Sequence, residues 1–329
     1  MAPVKILTIA SGKKHDSYWE DMTFFLREKG ADGSFCALEE LNAGKFRNFF
    51  LPRETRRFAA LRRRILKQKP DCVLISSSRM PFDLGALRDF YRGKIVIHDM
   101  EGPNFKGYRD ESWFAAADLV ITVSRYTART MAERFSHIAY LPHSVNPARF
   151  HPVVPSPEFL ASAAFIGRPS PHRGEYFSAV APLGLRLYGR KWLDPEIAVP
   201  PVLRQCCRGE GNISGERTCA AISGATLFVN VLQDQYKDLK TLMNMQIFMV
   251  TACRTALATE YVEELPEAFE PGREVLTFSS REELAELTAR YTVDKNAVAR
   301  VAVAGFRRCM AEHTMAVRAG QMLALLKQL

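Results

Sequence analysis

Short apolar runs alternate with helical segments along almost the whole chain, and this alternation restricts the fold more than any other feature. Residues 4–10 are an apolar run that stops at Ser11-Gly12 and reads as a buried first strand. Residues 16–29 carry apolar side chains at helical spacing (Trp19, Met22, Phe25, Leu26) and stop before Gly30. A helix over 56–68 leads through Pro70-Asp71 into a strand at 72–76. Helices at 84–91 and 126–135 then alternate with strands at 94–98, 119–123 (entered through 113–117) and 138–141. Strands that alternate with helices at this spacing predict a parallel sheet covered on both faces.

The pattern breaks over residues 143–157, where four prolines (147, 152, 155, 157) read as a linker. It then resumes, with strands at 162–166, 185–188, 226–231 and 255–259. Helices are expected at 176–183, 217–223, 242–253, 262–269 and 281–290. A long closing helix is expected at 295–328, broken near Gly305 or His313. The expected fold is α/β, with two doubly wound Rossmann-like domains facing across a cleft. The expected division is 1–152, 153–295 and a terminal helical segment 296–329. Ligands of such sheets lie at the carboxyl ends of the strands.

At 329 residues, 47% hydrophobic and 25% charged, the composition is that of a globular protein and excludes disordered and collagenous classes. No apolar run reaches the ~20 residues of a membrane-spanning helix, and residues 1–11 do not read as a signal peptide. The seven cysteines are scattered without paired CxxC spacing, so neither a zinc site nor a disulfide framework is expected. A reducing, cytoplasmic location fits them, with peripheral membrane association as an addition. The net charge of +9 favours anionic partners: a nucleotide, a phospholipid surface or a nucleic acid. Ten Lys and Arg fall between Lys45 and Lys69 against one acid, Glu54. Within that stretch Arg56, Arg57, Arg62, Arg63 and Arg64 are candidates for binding an acceptor or an anionic surface. The plainer reading is a solvated helix face. Phe46, Phe49, Phe50 and Phe58 are interleaved with these cations, which suits a lipid surface as well as DNA.

Several loops at predicted strand ends carry groups suited to chemistry. The segment from Ser11 to Asp16, with His15, follows the first strand, where helix N–H groups would suit a phosphate or sugar oxygen. It contains neither GxGxxG nor a Walker lysine. His98, Asp99 and Glu101 follow the strand at 94–98. Asp99 or Glu101 there would orient or deprotonate a hydroxyl, or else satisfy the N–H groups of a turn. Gly167-Arg168, with Arg173 soon after, repeats in kind as Tyr188-Gly189-Arg190-Lys191-Trp192: a strand, a glycine, then cations fit to clamp a pyrophosphate. Lys240 and Thr241 precede the helix expected at 242–253, with Asn244 on its first turn, an anion site in principle. Glu260, Glu263, Glu264, Glu267 and Glu270 read either as a solvated face or as acceptors for sugar hydroxyls. No metal ligand set is expected. Histidines 137, 143, 151 and 172 lack ligand spacing and read as structural.

From about residue 113 the chain resembles the spore-maturation-protein (CgeB-like) branch of the GT-B glycosyltransferases. The resemblance rests on Phe165-Ile166-Gly167-Arg168, Leu187-Tyr188-Gly189 before Trp192, and Asn244-Met245 with Phe248 leading to Thr251-Ala252-Cys253. It continues through Tyr261-Val262-Glu263-Glu264-Leu265, Phe269-Glu270-Pro271-Gly272-Arg273-Glu274-Val275, Arg281-Glu282-Glu283-Leu284-Ala285, His313-Thr314 and Arg318. In the first half, residues 117–124 followed by Leu141-Pro142-His143-Ser144-Val145-Asn146 are similar to the general GT-B junction.

The resemblance implies transfer of a sugar from a nucleotide donor, UDP-linked, to a hydroxyl acceptor on a glycan, lipid or protein, without a catalytic metal or a further cofactor. The donor would sit on the carboxy-terminal domain, the acceptor on the amino-terminal one, and the last helix would cross back onto the first domain. His15, Asp99 or Glu101 would serve the acceptor hydroxyl. The donor set would be Gly167, Arg168, Arg173, Tyr188, Gly189, Lys191, Lys240, Thr241, Asn244, Gln246, Met249 and Glu260. Three positions depart from the family: Gln246 where Arg is usual, Met249 where a ribose-binding Glu is usual, and Arg254 where Gly is usual. Two other readings stay open. One is a transferase acting on modified bases in DNA through residues 45–69. The other is a non-catalytic binding subunit whose donor site has decayed.

Overall fold

The computed structural model describes residues 2–10, 18–41, 52–76, 82, 84–100, 111–209, 213–238 and 241–329. Two compact units are present: Met1–Pro142 with Met315–Leu329, and His143–Thr314.

The first unit contains β1 (Lys5–Ala10), α1 (Tyr18–Glu28), β2 (Asp32–Ala37), α2 (Arg53–Gln68), β3 (Cys72–Ser76), α3 (Leu84–Arg88), β4 (Lys94–Asp99), α4 (Glu111–Ala116), β5 (Leu119–Thr122), α5 (Arg125–Ala132) and β6 (Ile138–Tyr140). Its sheet is parallel, in the order β2-β1-β3-β4-β5-β6. Alternate residues of the central strands enter opposite apolar layers. Leu7, Ile9, Val73, Ile75, Ile95 and Ile97 meet α2, α3 and α4. Ile6, Ala10, Leu74 and Val96 meet α1 and, further on in the chain, Met315, Met322 and Leu323. Burial on both faces is why these strands read as continuous apolar runs rather than as alternation.

The second unit contains β7 (Ala161–Ile166), α6 (Pro171–Val180), β8 (Leu185–Tyr188), α7 (Pro201–Cys206), α8 (Glu216–Ser223), β9 (Ala225–Asn230), α9 (Asp234–Lys237), α10 (Met245–Ala252), β10 (Ala256–Glu260), α11 (Leu265–Ala268), β11 (Leu276–Phe278), α12 (Arg281–Val293) and α13 (Lys295–Glu312). Its parallel sheet runs β11-β10-β9-β7-β8. The chain steps from β7 outward to β8, then returns to place β9 on the other side of β7. The carboxyl ends of β7 and β9 therefore flank the point where strand order reverses, the usual ligand crevice of an open parallel sheet. The last helix, α14 (Met315–Leu326), belongs to the first unit and packs on α1.

Several elements differ from the sequence expectation. β2, β11 and α7 were not anticipated. β2 reads Asp-Gly-Ser-Phe-Cys-Ala, poor in β-formers, and is held by register with β1 from Lys5↔Asp32 to Ala10↔Ala37. α6 starts at Pro171 rather than at 176, because Ser170 accepts from the Arg173 N–H and Pro171 occupies the first turn. α10 starts at Met245 rather than at 242. Leu242 has φ 79, outside helical space, and the Asn244 side chain caps the helix by accepting from Gln246 N–H. Of the two breaks foreseen in the closing helix, His313 is the one used. Gly305 lies inside α13, where a Cβ would come within 2.4 Å of Glu274 O. Among the described residues no helix is long and apolar enough to cross a membrane.

Candidate functional site

The strand-end loops of β7 and β8 are built on two glycines. Gly167 N–H donates to Tyr188 O at 2.9 Å, and Gly189 has φ 128. A Cβ on Gly189 would lie 2.4 Å from Gly167 O, so only glycine lets the two backbones meet. Trp192 then closes over them, its indole N–H donating to Gly167 O at 2.7 Å. Past Gly189 the backbone of Lys191 is left-handed, φ 78, and its side chain is exposed beside Arg190. Gly189, Arg190, Lys191, Leu193, Asp194 and Gly209 line a cavity of ≈ 400 Å³.

Across the reversal point, Arg173 is only 4% exposed. Its Nε donates to Val231 O and an Nη to Arg168 O, both at 3.0 Å, and the guanidinium lies 4.8 Å over the Phe165 ring. Burial pushes its pKa down to about 10 against the opposing pull of Asp234 and Glu260, so it remains a cation at neutral pH. These bonds use two of the five guanidinium N–H groups, and among the described residues no partner takes the other three. Arg168 itself is exposed.

The neighbouring polar groups form a connected set. His172 Nε2 lies 3.0 Å from both Glu260 oxygens, and Glu260 Oε2 also accepts from Leu232 N–H at 2.9 Å. The His172 backbone N–H donates to Asp234 Oδ1 at 3.3 Å. Partial burial opposes ionisation of Asp234, but the Ser170 hydroxyl and the His172 N–H outweigh it and hold the carboxyl below its usual range. Asn244 Nδ2 donates to Asn230 Oδ1 at 2.9 Å, and Asn230 Nδ2 donates to Thr259 at 3.0 Å. The Gln246 amide donates to Ile166 O, while its Oε1 is buried with no hydrogen-bond partner among the described residues.

Of the expected donor positions, Gly167, Arg168, Arg173, Tyr188, Gly189 and Lys191 lie on β8, α6 and the loops that follow β7 and β8. Asn244 and Gln246 open α10, and Glu260 ends β10. Thr241 stands apart from the helix start and donates its hydroxyl to Glu264 at 2.6 Å. Met249 is half-buried against the apolar layer that contains Phe248. His172, which reads as structural in the sequence, joins the group, as do Asn230 and Asp234, which carry no signal there. The Ser170-Pro171 helix start was the available signal for His172, since it places that residue in the first turn of α6.

In the first unit, Asp99 ends β4, is fully buried, and accepts from the Thr122 hydroxyl at 2.7 Å. Its neighbour His98 is buried edge-on against Trp19 at 4.9 Å. His15, Glu101 and Lys240 lie outside the described residues. Of the basic set on α2, Arg64 donates to Phe35 O at 2.6 Å and Arg62 lies 5.2 Å over Phe90. Arg56 and Arg57 are half-buried, and Arg63 is exposed. Among the described residues no cluster of three or more His, Cys, Asp and Glu is gathered as a metal ligand set.

Two parallel-sheet α/β units, the second with glycine loops and a buried arginine at its reversal point, superpose on structures of the GT-B fold. The chain superposes over 99% of its length on 98% of sucrose-phosphate synthase from Thermosynechococcus elongatus, with TM-score 0.69 and 15% identity. It covers 100% of its own length and 99% of a glycosyltransferase from Rickettsia africae, with TM-score 0.68 and 12% identity. Against Anabaena Alr3699/HepE, solved in complex with UDP-glucose, it covers 99% of its own length and all of that chain, with TM-score 0.68 and 12% identity. No curated protein sequence matches the chain. Residues 173–324 match the family described as glycosyl transferase-like, so the carboxy-terminal stretch that contains most of the site carries that family's pattern.

Proposed function

We propose that the protein is a glycosyltransferase that binds a UDP-linked sugar on its second unit and passes the sugar to a hydroxyl acceptor held by the first, and that it is of the CgeB-like kind. The observation that carries this reading is Arg173, a buried cation fixed by two carbonyls where strand order reverses. Its remaining N–H groups, with Arg168, Lys191 and the first N–H groups of α10, suit a diphosphate. Charge grows on that diphosphate as the glycosidic bond breaks, and fixed donors in a poorly hydrated site stabilise it without reorganising. HepE, solved with UDP-glucose, supports the choice of nucleotide. Both Glu260 oxygens are engaged with His172 and Leu232, so Glu260 is a poor substitute for the carboxylate missing at 249. Gln246 Oε1 is the better acceptor for a ribose hydroxyl. His15 or Glu101 would receive the acceptor's proton; Asp99, expected for that role, is fully buried and bonded to Thr122, which suits a structural part.

The test is calorimetric titration of the full chain with UDP and UDP-glucose, with donor hydrolysis measured in parallel. Micromolar binding that Arg173→Ala weakens at least tenfold supports the reading, since a charge-assisted hydrogen bond contributes about 1.5–3 kcal/mol. No binding of either ligand refutes it. Binding without hydrolysis or transfer to any hydroxyl acceptor favours a non-catalytic subunit.

A further inference from the structure

We propose that the outward face of α2 seats the protein reversibly on an anionic lipid bilayer. The helix is amphipathic. Leu61 and Ile65 enter the core of the first unit, and Arg64 is tied down by its bond to Phe35 O. Residues 62, 63, 66 and 67 share the opposite face, as helical geometry requires for i, i+1, i+4 and i+5. Arg62, Arg63, Lys67 and the following Lys69 are exposed there, and Leu66 among them is 45% exposed. The only acid on the helix, Glu54, is at its other end. Among the described residues none of these four cations has a carboxylate partner. Cations gathered on one face, Arg62 among them against the Phe90 ring, favour an anionic counter-surface, and Leu66 sets its chemistry. A bilayer accepts an apolar side chain below the headgroups while long Arg and Lys stems keep their charges at phosphate level. A nucleic-acid backbone offers the leucine nothing. This proposal does not depend on the transferase reading and stands or falls without it.

The experiment is flotation of the full chain with vesicles of phosphatidylcholine mixed with phosphatidylglycerol, and with phosphatidylcholine alone. Duplex DNA is tested separately as a competitor. Each cation near such a surface changes the partition coefficient about fivefold, so Arg62→Gln/Arg63→Gln/Lys67→Gln should lower it on the order of a hundredfold. All three positions are exposed and glutamine is a good helix former; the Arg62 contact over Phe90 is lost, so circular dichroism and melting are compared with the wild type, and Leu66→Ser carries the test should they change. Leu66→Ser leaves the charge unchanged and should lower partition severalfold by itself. Binding to anionic vesicles that falls in both variants, and is absent from neutral vesicles, supports the proposal. No preference for anionic vesicles, indifference to Leu66→Ser, or displacement from vesicles by DNA held through the same cations overturns it.

Discussion

Arg254 occupies the position after the cap of α10 with φ 55, in the left-handed region that side chains with a Cβ avoid. The surrounding hydrogen bonds require it there. Thr255 N–H reaches back to Val250 O at 3.3 Å and Arg254 N–H to Thr251 O at 3.1 Å, a Schellman ending of the helix. The Arg254 side chain is exposed, so little is lost by removing it. Arg254→Gly should therefore stabilise the protein. Relief of the left-handed backbone is worth roughly 1–2 kcal/mol. The more flexible unfolded glycine chain returns about 0.4–1 kcal/mol of that. The net gain is about 0.5–1 kcal/mol, or a rise of about 1–4 °C in the melting transition of a unit this size. Differential scanning calorimetry of the full chain reads it directly, with Arg254→Ala as the control that removes the side chain and keeps the Cβ. A glycine variant no more stable than wild type, or an alanine variant that gains as much, would refute the backbone argument.

Gly189→Ala drives a Cβ into Gly167 O and should cost more than ~2 kcal/mol in urea unfolding, because the blocking atom is backbone and cannot step aside. His172→Ala leaves Glu260 buried with only the Leu232 N–H, and should destabilise by roughly 1–3 kcal/mol in the same assay. Met249→Glu places on α10 the carboxylate usual in the CgeB-like enzymes that the sequence resembles and, on the proposed function, should tighten UDP severalfold in calorimetry. Unchanged affinity with a lower melting temperature would make residue 249 a packing position. Asp118 is partly buried, which raises its pKa, but the Ile95 N–H at 2.7 Å and Arg88 outweigh that and hold it below the usual carboxylate range. A depressed folded-state pKa gives stability that is complete above the ordinary value of about 4 and is lost as pH falls through the folded one. Asp118→Asn should remove that part of the acid-side slope.

The alternation of strand and helix was legible in the sequence because strands buried on both faces are written as uninterrupted apolar runs, and residues 72–76 or 226–231 need no neighbour to be recognised. The strand-end glycines and their trailing cations were legible for a similar local reason. β2 was not, because Asp-Gly-Ser-Phe-Cys-Ala has no strand preference of its own and takes its conformation from the free edge of β1. The same holds at the site. His172, the near neighbours Asn230 and Asp234, and Glu260 are separated by long stretches of chain. Their meeting depends on parallel strands that all end at one edge of the sheet, with the order reversed between β7 and β9. The sequence by itself determined which segments are apolar and where cations follow glycines, both of which are properties of adjacent residues. The tertiary structure alone decided that Arg173 is a buried, anchored cation and that both Glu260 oxygens are already taken. It also decided that Arg64 is tied down on α2 while Arg63 and Lys67 face outward. Burial and hydrogen bonding depend on what the rest of the chain brings to a side chain, and no run of neighbouring residues encodes that.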